Sequence, residues 1–285
     1  MVRIILSFFI VSVALNARAE VLFEGYSKIL ANGNPVGYII SKYEFDAKSK
    51  KFISIYFLKT SGKGMEVTES LKAIADAKLG PISYNYTTIV GKEVKTIDAK
   101  FTGLKMTAIV KDGKKSVTVR KDLPKDTFLS TFLVYVMLNS KEGLKTESNY
   151  GYKAIAEEDA EVYDGQANVG KEEAYKGLKA FKVQNKFKGI PFVSYVNDRG
   201  EVLGTNSITQ GVTTELVADP ATATKGFPMS ETILKNIFSE VPAGRQNMMS
   251  KNASVAPSNP GKREGIPQGT GIQIKGDAPT SPAGK

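Results

Sequence analysis

The amino-acid sequence predicts a mainly β protein, a strongly curved antiparallel sheet or open barrel with one buried helix at about residues 126–139 and a C-terminal amphipathic helix at about 230–240. Three observations carry that expectation. Period-two alternation dominates from Glu20 to about Val217, as in "PISYNYTTIV" (Pro81–Val90), where Ile82, Tyr84, Tyr86, Thr88 and Val90 share one face. The connections between such runs are short, so neighbouring strands should pair antiparallel. One long apolar run, "DTFLSTFLVYVMLNS" (Asp126–Ser140), breaks the rhythm.

Taken in order, residues 1–19 have the three parts of a secretory signal. Arg3 supplies a positive start, Ile4–Leu15 an apolar stretch, and Ala17–Ala19 a small-x-small cleavage site. The apolar stretch is about twelve residues, short of the roughly 20 that span a bilayer. The mature chain is therefore expected to begin at Glu20 and to be periplasmic or secreted, with no N-terminal Cys for lipid attachment. "FEGYSKILANGNPVGYIISKYEFD" (Phe23–Asp46) reads as a β-hairpin around an Asn/Gly/Pro turn. Further strands are predicted at Val36–Phe45, Phe52–Leu58, Glu93–Phe101, Leu104–Val110, Ser116–Arg120, Glu161–Val169, Leu178–Phe187 and Phe192–Val196. Asp112-Gly113 fits a tight hairpin turn, because Gly accepts positive φ.

The run Asp126–Ser140 is long enough for a helix, with Asp126 or Thr127 as cap, although a buried strand is an alternative. Its apolar residues cover nearly every face, which requires burial all round, and the hollow of a curved sheet is the natural place. At "SETILKNIFSE" (Ser230–Glu240), Ser230 caps, Ile233, Leu234, Ile237 and Phe238 form one stripe, and Pro242 ends the helix. That helix should seal the sheet or dock on another protein. These elements place one β-rich domain at 20–243 and a disordered, basic tail at 244–285. From Lys251 on, Gly and Pro make up 11 of 35 residues and Phe, Tyr and Leu are missing, too little apolar area to offset ordering entropy. The tail reads either as a tether or as an unselected end.

Composition excludes several chemistries. There is no Cys and no His, so Ser-His-Asp and Cys-His nucleophile systems cannot exist and zinc loses its preferred ligands. "SGKGME" (Ser61–Glu66) lacks the spacing of a phosphate loop and reads as a turn. "AEEDAEVYDG" (Ala156–Gly165) groups five acids, but not in the order of a calcium loop, and reads as a solvated strand entry. Paired carboxylates or a Ser–Lys pair remain formally open to a hydrolase acting on envelope polymers, with no motif that selects residues for it. No catalytic residue, cofactor or metal is expected. The formal charge is +10, or +8 without Arg3 and Arg18, and its lysines look scattered. A weak contact with anionic lipid or cell wall would follow from it, but not nucleic-acid binding, for which there is no motif.

"EGYSKILANGNPVGYIISKYEF" resembles the opening of a bacterial periplasmic β-domain family of unknown function, whose relatives include the β-region preceding the catalytic domain of some periplasmic transglutaminase-like proteins. The resemblance continues in "KLGPISYNYTT" (Lys78–Thr88), in Asp122–Tyr152 and in Val162–Leu203, and covers roughly Glu20 to Gln210. It implies a curved antiparallel sheet holding a helix against its concave side, without the Cys- and His-bearing catalytic part. The lipoprotein-carrier shape of the periplasm is similar in outline. The expectation for function is a non-catalytic envelope protein whose sheet binds an apolar, lipid-like ligand or an envelope protein partner. A structural adaptor tethered by its tail is the alternative beside the hydrolase. Phe57, Tyr84, Tyr86, Phe128, Phe132 and Tyr135 are the candidates for the ligand-facing or core surface.

Overall fold

The computed structural model describes residues 19–62 and 65–250. The predicted signal segment before Ala19 and the predicted tail beyond Ser250 lie outside the described residues. The strands in chain order are β1 (Glu20–Ala31), β2 (Asn34–Asp46), β3 (Lys51–Gly62), β4 (Met65–Asp76), β5 (Pro81–Val90), β6 (Glu93–Thr102), β7 (Lys105–Asp112) and β8 (Lys115–Asp122). They continue as β9 (Phe128–Leu129), β10 (Asn149–Ala156), β11 (Glu161–Tyr175), β12 (Leu178–Phe187), β13 (Ile190–Val196), β14 (Val202–Ser207) and β15 (Val212–Val217). Among the described residues, three α-helices complete the fold, α1 (Leu133–Asn139), α2 (Pro220–Thr224) and α3 (Glu231–Phe238).

All fifteen strands belong to one sheet, in the order β8-β7-β6-β5-β4-β3-β2-β1-β15-β14-β13-β12-β11-β10-β9, and it is not closed. The expected mainly β, antiparallel class is what the protein adopts. Every neighbouring pair in that order is antiparallel except β9–β10, which run parallel. The first and last strands of the chain meet in the middle, Tyr26 to Ala31 against Val217 to Val212. The free ends, β8 and β9, are neighbours in sequence.

The sheet curls strongly. β6 and β10 are eleven steps apart in the strand order, which would be about 50 Å in a flat sheet at roughly 4.8 Å per strand. Yet Lys95 Nζ of β6 donates to the carbonyl of Glu158, just after β10, at 2.8 Å. Two strands further out, on β8, Lys121 Nζ donates to Ala160 O at 3.1 Å. Both wings therefore share one inner core: Tyr84, Ile97 and Met106 from one side, Tyr152, Ala167 and Val183 from the other.

Period two decides which side chain serves which face. In β3, Phe52, Ser54 and Tyr56 look into the hollow, while Ile53, Ile55 and Phe57 look out under α3. The central strands β1–β3 are thus buried on both faces, the outer one by Ala223, Leu234 and Phe238. The β1–β2 hairpin turns at Asn32-Gly33, both at positive φ (49° and 81°), as a type I′ turn requires. The β7–β8 hairpin pairs Asp112 with Lys115, so its central residues are Gly113-Lys114, one position beyond the expected pair, with Gly113 at φ 55°.

Five strands fall outside the predicted set: β4, β9, β10, β14 and β15. β4, "MEVTESLKAIAD", holds Ala, Glu and Lys, which favour strands poorly, and its neighbours on both sides override that preference. The predicted helix at 126–139 is shorter. Asp126 sits at φ 62° and Thr127 Oγ1 donates to Pro124 O, so neither caps it. Phe128 and Leu129 then pair with Ala154 and Ile155 as β9, and a 3-10 turn (Ser130–Phe132) leads into α1. The C-terminal helix lies where expected, with Ser230 Oγ accepting from Ile233 N at 3.4 Å. The ordered domain extends past residue 243. Asn247 is 3% exposed, and Gln246 O accepts from Glu24 N at 2.9 Å, which draws residues 244–250 onto β1.

Candidate functional site

The hollow of the sheet is filled by the segment from Phe128 to Leu138. Phe128, Phe132 and Val136 are fully buried there. Around them the inner positions of β2 and β3 supply an aromatic shell. Tyr43 lies 5.1 Å from Tyr135 between ring centroids, Phe52 lies 6.0 Å from Tyr135, and Phe45 lies 4.8 Å from Phe52. Such tilted pairs suit the ring quadrupoles. On the far side Phe128 meets Tyr152 at 5.6 Å. Gly165, opposite Tyr152 in the β10–β11 ladder, leaves room for that ring, since a Cβ there would land on it.

Of the six residues singled out from sequence, Tyr84, Tyr86, Phe128, Phe132 and Tyr135 share this inner core. Phe57 does not. It belongs to the opposite face with Tyr26, Tyr38 and Leu234, at 6.1 Å from the Tyr38 ring. Its odd position in β3 puts it out of reach of the plug, whose partners on that strand are Phe52 and Ser54.

Side-chain hydrogen bonds gather at the plug's N-terminal turn. Thr131 O accepts from Tyr43 Oη at 3.0 Å, and Thr131 Oγ1 meets Ser54 Oγ at 2.8 Å. Glu157 reaches in from the β10–β11 turn, its Oε2 accepting from Ser130 Oγ at 2.6 Å and its Oε1 from Thr131 N at 3.2 Å. The carboxylate thereby does the work of an N-cap, satisfying N–H and O–H groups that the turn itself leaves unpaired. Burial pushes the Glu157 carboxyl up to about 7, against the pull of the Ser130 and Thr131 hydrogen bonds. The expected solvated acidic strand entry is therefore corrected at Glu157, which is 4% exposed.

The rest of that acidic turn behaves differently. Glu158 Oε1 and Asp159 Oδ2 accept from Lys188 Nζ at 2.6 and 2.5 Å. Burial pulls the Lys188 ammonium down, but these two carboxylates outweigh it and hold its pKa above the ordinary range. Nearby, burial raises the Glu69 carboxyl, whose Oε2 accepts from Tyr56 Oη at 3.4 Å. Tyr56, Tyr84 and Tyr86 are all pushed up, first by burial and then by neighbouring carboxylates. Glu69, Tyr56, Ser130, Thr131 and Lys188 escaped the sequence reading, and Glu157 was read as solvated, because their contacts join residues 13 to 30 positions apart in the chain. One signal was present: a carboxylate-rich turn beside a strand that alternates cleanly.

Chemically, the site is an apolar hollow plugged by a short helix and latched by one buried carboxyl. Among the described residues no group of three or more Asp or Glu is placed to hold a metal ion. These features define a class of protein by architecture: one open, curled, fifteen-stranded sheet around a helical plug. No family model matches the chain, and no curated protein does. Among solved structures, the crystal structure of a DUF1089 family protein from Pseudomonas aeruginosa is similar over 54% of this chain and 83% of that one, at 14% identity and a TM-score of 0.33. A likeness at that level carries no argument about fold or function.

Proposed function

We propose that this chain is a non-catalytic, exported envelope protein whose curled sheet takes an apolar, chain-like ligand between its concave face and the plug. The observation that carries the reading is the division of forces on the plug. Side-chain hydrogen bonds anchor it at Ser130 and Thr131, while the apolar side chains of Phe132, Val136 and Met137 are buried in the hollow. A lipid tail offers the same non-directional contact, so it can replace them at little cost. α1 has seven residues and would not persist as a helix once undocked. The resemblance of the sequence to periplasmic β-domains, and the signal-like start of the chain, support the compartment. Among the described residues no helix is long and apolar enough to cross a membrane.

The close approach of Ser54 Oγ to Thr131 Oγ1, 2.8 Å, provides a test in a chain without cysteine. The double variant Ser54→Cys, Thr131→Cys brings two thiols within reach of a disulfide. Oxidised, it should exclude a fluorescent fatty-acid probe that the reduced form and the wild type take up. Uptake that ignores the oxidation state, or its absence in the wild type, overturns the proposal. Turnover of envelope polymers by the purified protein would favour a hydrolase instead. Loss of envelope retention on deleting Lys251–Lys285 would favour an adaptor.

A further inference from the structure

The two ends of the sheet are finished differently. β9 is two residues long and lies against β10, whereas β8 runs eight residues with β7 on one side and, among the described residues, no strand on the other. Leu123 N donates to Leu104 O at 2.7 Å. By strand alternation, the odd residues of β8 then direct their N–H and C=O groups toward β7. Those of Ser116, Thr118, Arg120 and Asp122 face the free edge. Such an edge is a template for another strand, and proteins that avoid pairing blunt it or cover it.

The inner face also stops short. Across the sheet the register sets Tyr56 beside Leu71, Leu71 beside Tyr86, Tyr86 beside Ile97, Ile97 beside Val110 and Val110 beside Val117. The first five positions of that row are buried or half-buried, but Val117 is 57% exposed. Among the described residues, the apolar row ends at Val117, still largely open to solvent. One more strand, with an apolar residue opposite Val117, would continue it.

Charge selects the occupant. Residues 92–125 hold ten Lys and Arg against four Asp and Glu, a net +6 of the chain's +10. Nearly all of these are exposed, so the expectation of scattered lysines is corrected to a basic wing. The chain's own segment 251–285 carries five basic and two acidic residues and would meet like charge. So would a second copy, where antiparallel pairing of two β8 strands centred on Thr118 sets Lys115 against Lys121. We infer that β8 is a strand-addition site for an extended, acidic segment of a partner protein. Its main chain would pair with Ser116, Thr118 and Arg120, an apolar side chain would cover Val117, and its carboxylates, on the opposite face, would lie by Arg120 with Lys111 one strand behind.

The test uses a fluorescein-labelled peptide of alternating valine and glutamate, its valine–lysine counterpart, and phosphatidylglycerol vesicles, against the full chain. Thr118→Pro removes an N–H that faces the free edge, so it should leave the β7–β8 ladder intact while blocking an added strand. Val117→Lys is the second variant, and thermal melts check that both fold. By fluorescence anisotropy, the glutamate peptide should bind at least tenfold tighter than the lysine peptide. Thr118→Pro should weaken it at least tenfold, and amide exchange should slow at Thr118 and Arg120 on binding. Unchanged binding to either folded variant overturns the inference. Vesicle binding without peptide binding, dimers that Thr118→Pro dissolves, or peptide binding that appears only after residues 251–285 are deleted would each assign the edge to a different occupant.

Discussion

Replacing Glu157 by Gln should flatten part of the protein's pH dependence of stability. Glutamine keeps an oxygen to accept from Thr131 N and an amide that can donate to Ser130 Oγ, so both contacts survive without the charge. In the wild type, burial moves the carboxyl from 4.5 to about 7. Between those values the folded state holds a proton that the unfolded chain releases. The stabilisation is therefore complete below about pH 4.5 and is lost as pH rises through 7. At about 1.4 kcal/mol per pH unit, the full effect is about 3 kcal/mol. Since the loss has begun by pH 5, about 2.5 kcal/mol of it falls between pH 5 and 8. Urea denaturation at a series of pH values measures it. With a slope of roughly 3 kcal/mol per molar for a domain of this size, the wild-type midpoint should fall by about 0.8 M relative to Glu157→Gln over that range. Glu69, also raised by burial, adds a loss of the same sign, which the comparison with the variant removes. A difference that stays constant from pH 5 to 8, or that grows in the opposite direction, refutes the assignment of Glu157 as a buried, latching carboxyl.

Two further outcomes follow from packing. Gly165→Ala drives a methyl group into the Tyr152 ring, which rests on Phe128 of the plug, and should cost about 1–3 kcal/mol in the same urea assay. Asn247→Ala removes two bonds donated to Glu24 O and Gly244 O and two accepted from Met249 N and Ser250 N, each 2.9–3.0 Å. It should cost about 2–3 kcal/mol, because the Glu24 carbonyl is left buried, and limited proteolysis should reach residues 244–250 sooner.

The legible parts were those whose signal is local. Alternation at Pro81–Val90 sets Tyr84 and Tyr86 on one face whatever the sheet does next, and both lie in the inner core. Ser230 caps α3 because the acceptor, the N–H it serves and the apolar stripe lie within a few residues of one another. The plug was visible as an apolar run too uniform for an exposed strand. Its start was not, because the residue that caps it, Glu157, is 26 positions from Thr131 along the chain.

The sequence by itself determined the class of the fold, the parity of most strands and the need for something apolar in the hollow. Tertiary structure decided what those strands enclose. Closing the meander through β1 and β15 curls the two wings onto a shared core, which buries Glu157 and leaves Val117 at a bare edge. The same pairing covers both faces of β1–β3, so Phe57 serves the outer core and not the plug. The physical reason is one of range. Alternation and capping act between near neighbours, whereas burial, and the pKa that follows from it, depends on which distant strands arrive.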